Sequence, residues 1–171
     1  MALGAVNWFS LGSTVLPYDG TTMGLDIPYM HIVHISYSIT GYTGNDTARL
    51  RFNRDTSAVY AYHVIAYDST LSSTPSTVES YSTTATGIRT SGVQSTGMQS
   101  GSIHMSCMNY VGHNTMTIMN STYGAFPSAF EMVGSGDYAS TDQITYIELS
   151  SLNGNNMLAG SGFSVFGCNI G

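Results

Sequence analysis

The residues of this chain that could do chemistry are five histidines, two cysteines, ten carboxylates and four arginines, and their spacing decides what that chemistry can be. His31 and His34 lie three apart, and on a strand an odd separation points two side chains to opposite faces. One strand therefore cannot present both to one metal ion. His63, His104 and His113 are scattered, and neither Cys107 nor Cys168 has a second cysteine or histidine at zinc-motif spacing. A Ser-His-Asp set can be imagined in any chain this rich in serine. The GxSxG elbow that would hold a nucleophile on a strained turn is missing, and Gly160-Ser161-Gly162 is only a short turn. Glu131 and Glu148 fall on expected strands, and Asp137 and Asp142 flank an expected loop. Each reads as a solvated strand-face residue or an arginine partner rather than half of a glycosidase pair. Gly44-Asn45-Asp46 and Ser135-Gly136-Asp137 hold too few oxygen ligands for calcium and read as turns. The expectation is no catalytic residue, no metal, no cofactor and no enzyme activity.

The arginines carry more. Three of the four lie in RLRFNRDTSAVYAYH, Arg49 to His63, in a chain without lysine. Binding nucleic acid by phosphate neutralisation needs a basic face. Arg49, Arg51, Arg54 and Arg89 cannot make one against a net charge of −6, so no nucleic-acid partner is expected. Tyrosine and arginine are enriched at protein interface cores. Arg49, Arg51, Arg54, Tyr60 and Tyr62 are therefore candidate contact residues, at a subunit or partner boundary or as a sugar-stacking platform. Trp8 and Phe9, an apolar pair near one end of the chain, join them.

These residues need elements to hold them. Only 8% of the chain is charged, against about 25% in ordinary globular proteins. Its 42% hydrophobic content argues against disorder. Aromatic and β-branched residues among many Gly, Ser and Thr predict short strands joined by turns. Period-two alternation runs from Tyr29 to Thr40, and again on both sides of Asn53-Arg54-Asp55-Thr56, predicting a hairpin of 47–53 and 58–67. Residues 68–101 are dominated by Ser, Thr and Gly, with short edge strands expected at 77–83 and 87–90. Further strands are expected at 103–108, at 114–119, around Phe130 and Met132 and ending at Gly134-Ser135-Gly136, at 143–149 and at 162–168. No helix is expected. The architecture implied is all-β, an antiparallel two-sheet jelly-roll sandwich over 29–171, with residues 1–28 an extended N-terminal arm. No apolar run is long enough for a membrane helix, MALGAVNWF is a poor signal peptide, and synthesis in a cytoplasm is expected. Cys107 and Cys168 are expected to be buried and unpaired.

Three pieces of the chain also resemble a family of bacteriophage virion proteins. Arg51-Phe52-Asn53-Arg54-Asp55 followed by an aromatic strand is similar to an Arg-Phe-Asn-x-Asp turn of that family. Ile144, Ile147, Leu149, Ala159, Gly160, Ser161, Phe166 and Gly167 resemble its C-terminal strand pair, and Pro28-Tyr29 resembles its entry into the first long strand. Where the family often has glycine after the turn Asn, this chain has Arg54, so either the turn type differs or Arg54 gains a partner that offsets the strain. The resemblance implies a jelly roll, often trimeric, found in capsid decoration proteins, fibres and tail tips. It carries over no catalytic residue. The expectation is a virion protein assembled in a bacterial cytoplasm. Within that class the reading is a capsid decoration (cement) protein binding the major capsid protein as a homotrimer, without a nucleic-acid or membrane partner. The alternative is a tail or fibre-tip protein that binds host glycans.

Overall fold

The computed structural model describes residues 7–68, 76–91, 97–106, 108–109, 112–125 and 128–169. Cys107 and parts of the Ser/Thr/Gly-rich segment, 69–75 and 92–96, lie outside them. The described chain is all-β: β1 (Phe9–Val15), β2 (Thr22–Asp26), β3 (Ile32–Ile39), β4 (Ala48–Phe52), β5 (Tyr60–Asp68), β6 (Ser76–Ala85), β7 (Ile88–Arg89), β8 (Met98–Ser106), β9 (Thr115–Ala125), β10 (Ser128–Tyr138), β11 (Tyr146–Ser151) and β12 (Gly162–Cys168). No helix among these residues is long and apolar enough to cross a membrane.

Alternation places the apolar residues between two antiparallel sheets. One is eight-stranded, β1-β12-β3-β8-β9-β10-β5-β6, and the other four-stranded, β2-β11-β4-β7. Val33, Ile35, Ile103, Met105 and Val165 fill the core from the larger sheet, and Leu50, Phe52, Ile88, Ile147 and Leu149 from the smaller. The pairing is nested. β1 pairs with β12, β2 with β11, β3 with β8 and β4 with β7, and these rungs alternate between the sheets. Strands β5, β6, β9 and β10 are excursions from this scheme. They widen the larger sheet beyond β8.

Several expectations change. The strands on either side of Asn53-Arg54 do not form a hairpin. β4 belongs to the smaller sheet and β5 to the larger, so the turn carries the chain across the sandwich. Residues 9–26, expected as part of an extended arm, contain two strands. β1 and β2 are edge strands, one on each sheet. A register shift between Ser10 and Gly12 breaks the alternation of β1, which hid it from a period-two reading. β10 does not stop at Gly134-Ser135-Gly136 but continues to Tyr138. Gly136 sits mid-strand because a Cβ there would lie 2.6 Å from Ile88 Cγ2 of the facing sheet. The expected edge strands of the Ser/Thr/Gly-rich segment are β6 and β7, each at the end of its sheet.

One buried carboxylate ties two turns together. Asp46 accepts backbone N–H bonds from Thr47 at 2.7 Å, Leu152 at 3.1 Å, Asn153 at 2.9 Å and Asn155 at 2.9 Å, and the Ser151 hydroxyl at 2.6 Å. Burial alone would raise this carboxyl. The bonds from Ser151, Asn153, Thr47 and Asn155 outweigh it and hold Asp46 below the usual carboxylate range. With both oxygens engaged by donors, Asp46 serves the turns of 43–47 and 151–156.

Candidate functional site

The arginines lie on the outer face of the smaller sheet, where period two puts alternate residues of β4. Arg51 is opposite Glu148 in register, with Nη1 at 3.4 Å from Oε1, and its Nε donates to the Thr86 carbonyl at 2.8 Å. Arg49 donates to the Ser150 hydroxyl at 3.2 Å and the Thr86 hydroxyl at 2.8 Å. Burial, with Arg51 alongside, lowers the pKa of Arg49. Both guanidinium groups are thus held within one chain. Arg54 is the exposed member. Asn53 and Arg54 both have positive φ, 52° and 58°, and Asp55 N–H donates to the Phe52 carbonyl at 2.8 Å. Positive φ at both central positions is the pattern of a type I′ turn. Arg54 thus holds a left-handed conformation that glycine adopts without strain. It also has a partner, because its guanidinium carbon lies 4.4 Å above the centre of the Tyr146 ring. Tyr146 itself lies over Gly24, where a Cβ would be 1.9 Å from the tyrosine hydroxyl.

Tyr60 is not a contact residue. It is fully buried, ring to ring with Tyr138 at 4.8 Å and Phe52 at 6.2 Å. Its hydroxyl accepts the Phe52 N–H at 3.0 Å and faces the Phe52 and Asp55 carbonyls, both at 3.3 Å. Burial pushes this hydroxyl well above its usual pKa. Tyr60 therefore pins the Asn53-Arg54 turn from inside. Tyr62, on the same face of β5, is partly buried against the core. The outward side chains of β5 are Ala61, His63, Ile65 and Tyr67.

The outer face of the larger sheet is the most unusual surface of the molecule. Strands β1, β3, β8 and β12 contain no Asp, Glu, Lys or Arg. One row of register partners crosses the whole sheet: Ser10, Phe166, His34, His104, Ile118, Ser135, His63 and Tyr81. Trp8 packs on His104, ring centroids 6.3 Å apart, beside Phe166. Trp8 is exposed here, and so is Ile118, at 68%, whereas Phe9, opposite Gly167, belongs to the other face of the sheet. The rows beside it are mostly serine, with Ser164, Ser36 and Ser102 aligned across β12, β3 and β8. Sequence reasoning found Trp8 but missed this face. It exists only through pairing between strands far apart in the chain.

Over the four excursion strands this face becomes concave. A cleft of about 1050 Å³ is lined by His63, Tyr81, His113, Asn114, Met116 and Ile118 among others. Asp137 is at its edge. Its Oδ2 accepts from Asn114 Nδ2 at 2.9 Å, and its Oδ1 is buried without a hydrogen-bond partner. His63 Nε2 pairs with Glu79 Oε1. Apolar patches beside amide, carboxylate and imidazole groups suit a polar, uncharged ligand with an apolar face. Glu131 and Glu148 lie on different sheets and share no cleft. Among the described residues no three His, Cys, Asp or Glu side chains converge as a metal site. No protein family, no curated protein and no solved structure compared with this chain matches it.

Proposed function

We infer that the chain is a bacteriophage virion structural protein, a capsid decoration protein that binds the shell as a homotrimer, and that its fold is a jelly roll. The nested rungs β1/β12, β2/β11, β3/β8 and β4/β7, alternating between sheets, support the jelly-roll reading. The observation that carries the functional reading is the outer face of β1, β12, β3 and β8. Covering it with protein removes no charged side chain of those strands from water, so the main desolvation penalty of assembly is absent. Trp8, Phe166 and Ile118 supply apolar area to bury there. Cyclic self-association through such a patch repeats the same contact at each shell site.

The test has two parts. Light scattering on the purified chain is expected to give a trimer, and Phe166→Glu is expected to weaken it. Quantitative gels of purified virions are expected to show a copy number that scales with the capsomers. A monomer, or a copy number matching the tail, would reject the decoration reading. The cleft over β5, β6, β9 and β10 favours a second reading, a tail or fibre-tip protein that holds host glycans against Tyr81, Met116 and Ile118. Glycan-array binding together with absence from purified heads would select it.

A further inference from the structure

We propose that His34 and His104 together bind a divalent transition-metal ion of the imidazole-preferring class: copper(II), nickel or zinc. The two residues are direct cross-strand partners on β3 and β8, and both point to the outer face of the larger sheet. Their ring centroids are 6.5 Å apart. Metal–nitrogen bonds are about 2.1 Å long, which puts two imidazole centroids on one ion about 5–6 Å apart. Small side-chain rotations close the difference. The rings sit in a recess of about 360 Å³ lined by Trp8, His34, His104 and Phe166, open enough for water to complete the coordination shell. Phe166 is the register partner of His34 on the other side and Trp8 packs on His104, so the aromatic walls restrict the rings to this neighbourhood. Neutral imidazole is the ligand these ions prefer, and no carboxylate on β1, β3, β8 or β12 competes for the site. The recess lies on the face that the proposed assembly would cover, so a bound ion would sit at that contact. Assembly and metal binding are read by separate measurements.

Trp8 is the chain's single tryptophan, which makes the test direct. Copper(II) chloride titrated into the full chain is expected to quench Trp8 fluorescence saturably at one ion per chain. Acidification should weaken binding, because the ion must displace protons. His34→Gln and His104→Gln should each weaken binding by about tenfold or more. His63→Gln and His113→Gln should leave it unchanged. Copper electron paramagnetic resonance on the unaltered chain gives a second readout that needs no variant, and a two-nitrogen hyperfine pattern is expected. Quenching that survives both His34→Gln and His104→Gln, equal loss in His63→Gln, no saturable quenching, or a spectrum without nitrogen coupling would each overturn the proposal.

Discussion

Asp46→Asn tests the claim that one carboxylate holds two turns of this molecule in place. The substitution keeps one acceptor oxygen. It replaces the other with an NH₂ group that faces donors and offers them nothing. The bonds at risk are unequal. With its oxygen at the Oδ1 position the amide keeps the bonds from Thr47, Leu152 and Asn153, which spares the fully buried Thr47 N–H. It loses those made to Oδ2, the Asn155 N–H at about 0.5–1 kcal/mol and the buried Ser151 hydroxyl on a charged acceptor at about 1.5–3 kcal/mol. The expected total is about 3 kcal/mol. For a chain of this size that lowers the melting temperature by about 6–12 °C. The pH dependence follows from the direction of the shift. The folded carboxyl titrates below its unfolded value of about 3.9, so its stabilisation is full above that pH and is lost as pH falls through the folded value. The deficit of Asp46→Asn should therefore be full at neutral pH and shrink below about pH 4. Thermal melts of both proteins across pH check this. A variant melting within about 2 °C of the parent at neutral pH would refute the reasoning. So would a deficit that grows on acidification.

Tyr60→Phe should cost about 1–3 kcal/mol in denaturant titration, because it strands the buried Phe52 N–H; Tyr62→Phe should cost far less. Gly136→Ala should destabilise by about 1–3 kcal/mol, since its methyl meets Ile88 and the two sheets must move apart locally. Arg54→Gly removes a left-handed strain of about 1–2 kcal/mol and a surface cation–π contact of about 0.5–1 kcal/mol. Its melt should be equal to the parent or higher, and a drop larger than 1 kcal/mol would mean the Tyr146 contact outweighs the strain.

The strands were legible because alternation is local. β12 runs over the residues expected of it, β3 and β4 fall inside their expected spans, and β5 ends one residue beyond its own. What alternation does not encode is which sheet a strand joins. A turn such as Asn53-Arg54 looks the same whether it closes a hairpin or crosses a sandwich. Nor does alternation decide which face of β5 is inside, because Val59 and Ala61 are apolar on one side while Tyr60 and Tyr62 are largely apolar on the other. The interface enrichment of tyrosine makes Tyr60 a candidate contact, but the turn it pins supplies the hydroxyl's partners and lets it go in. The histidines show the same limit. Comparing His31 with His34 along one strand excluded a shared ion, but the relevant neighbour of His34 is His104, seventy residues away and adjacent only once β3 and β8 pair.

The nested rungs also set an order of events in time. Phe9 must find Gly167, and Met23 must find Leu149, across most of the chain. The loop-closure entropy of such contacts makes them late and slow. Two pairs of excursion strands, β5 with β6 and β9 with β10, form locally, with Ser128 opposite Ala125 on adjoining strands, and only the β5–β10 seam joins distant segments. The part of the larger sheet that widens the sandwich is therefore the part able to form before the sandwich exists. It would serve as the template on which β8, and then the distant strands, are laid down.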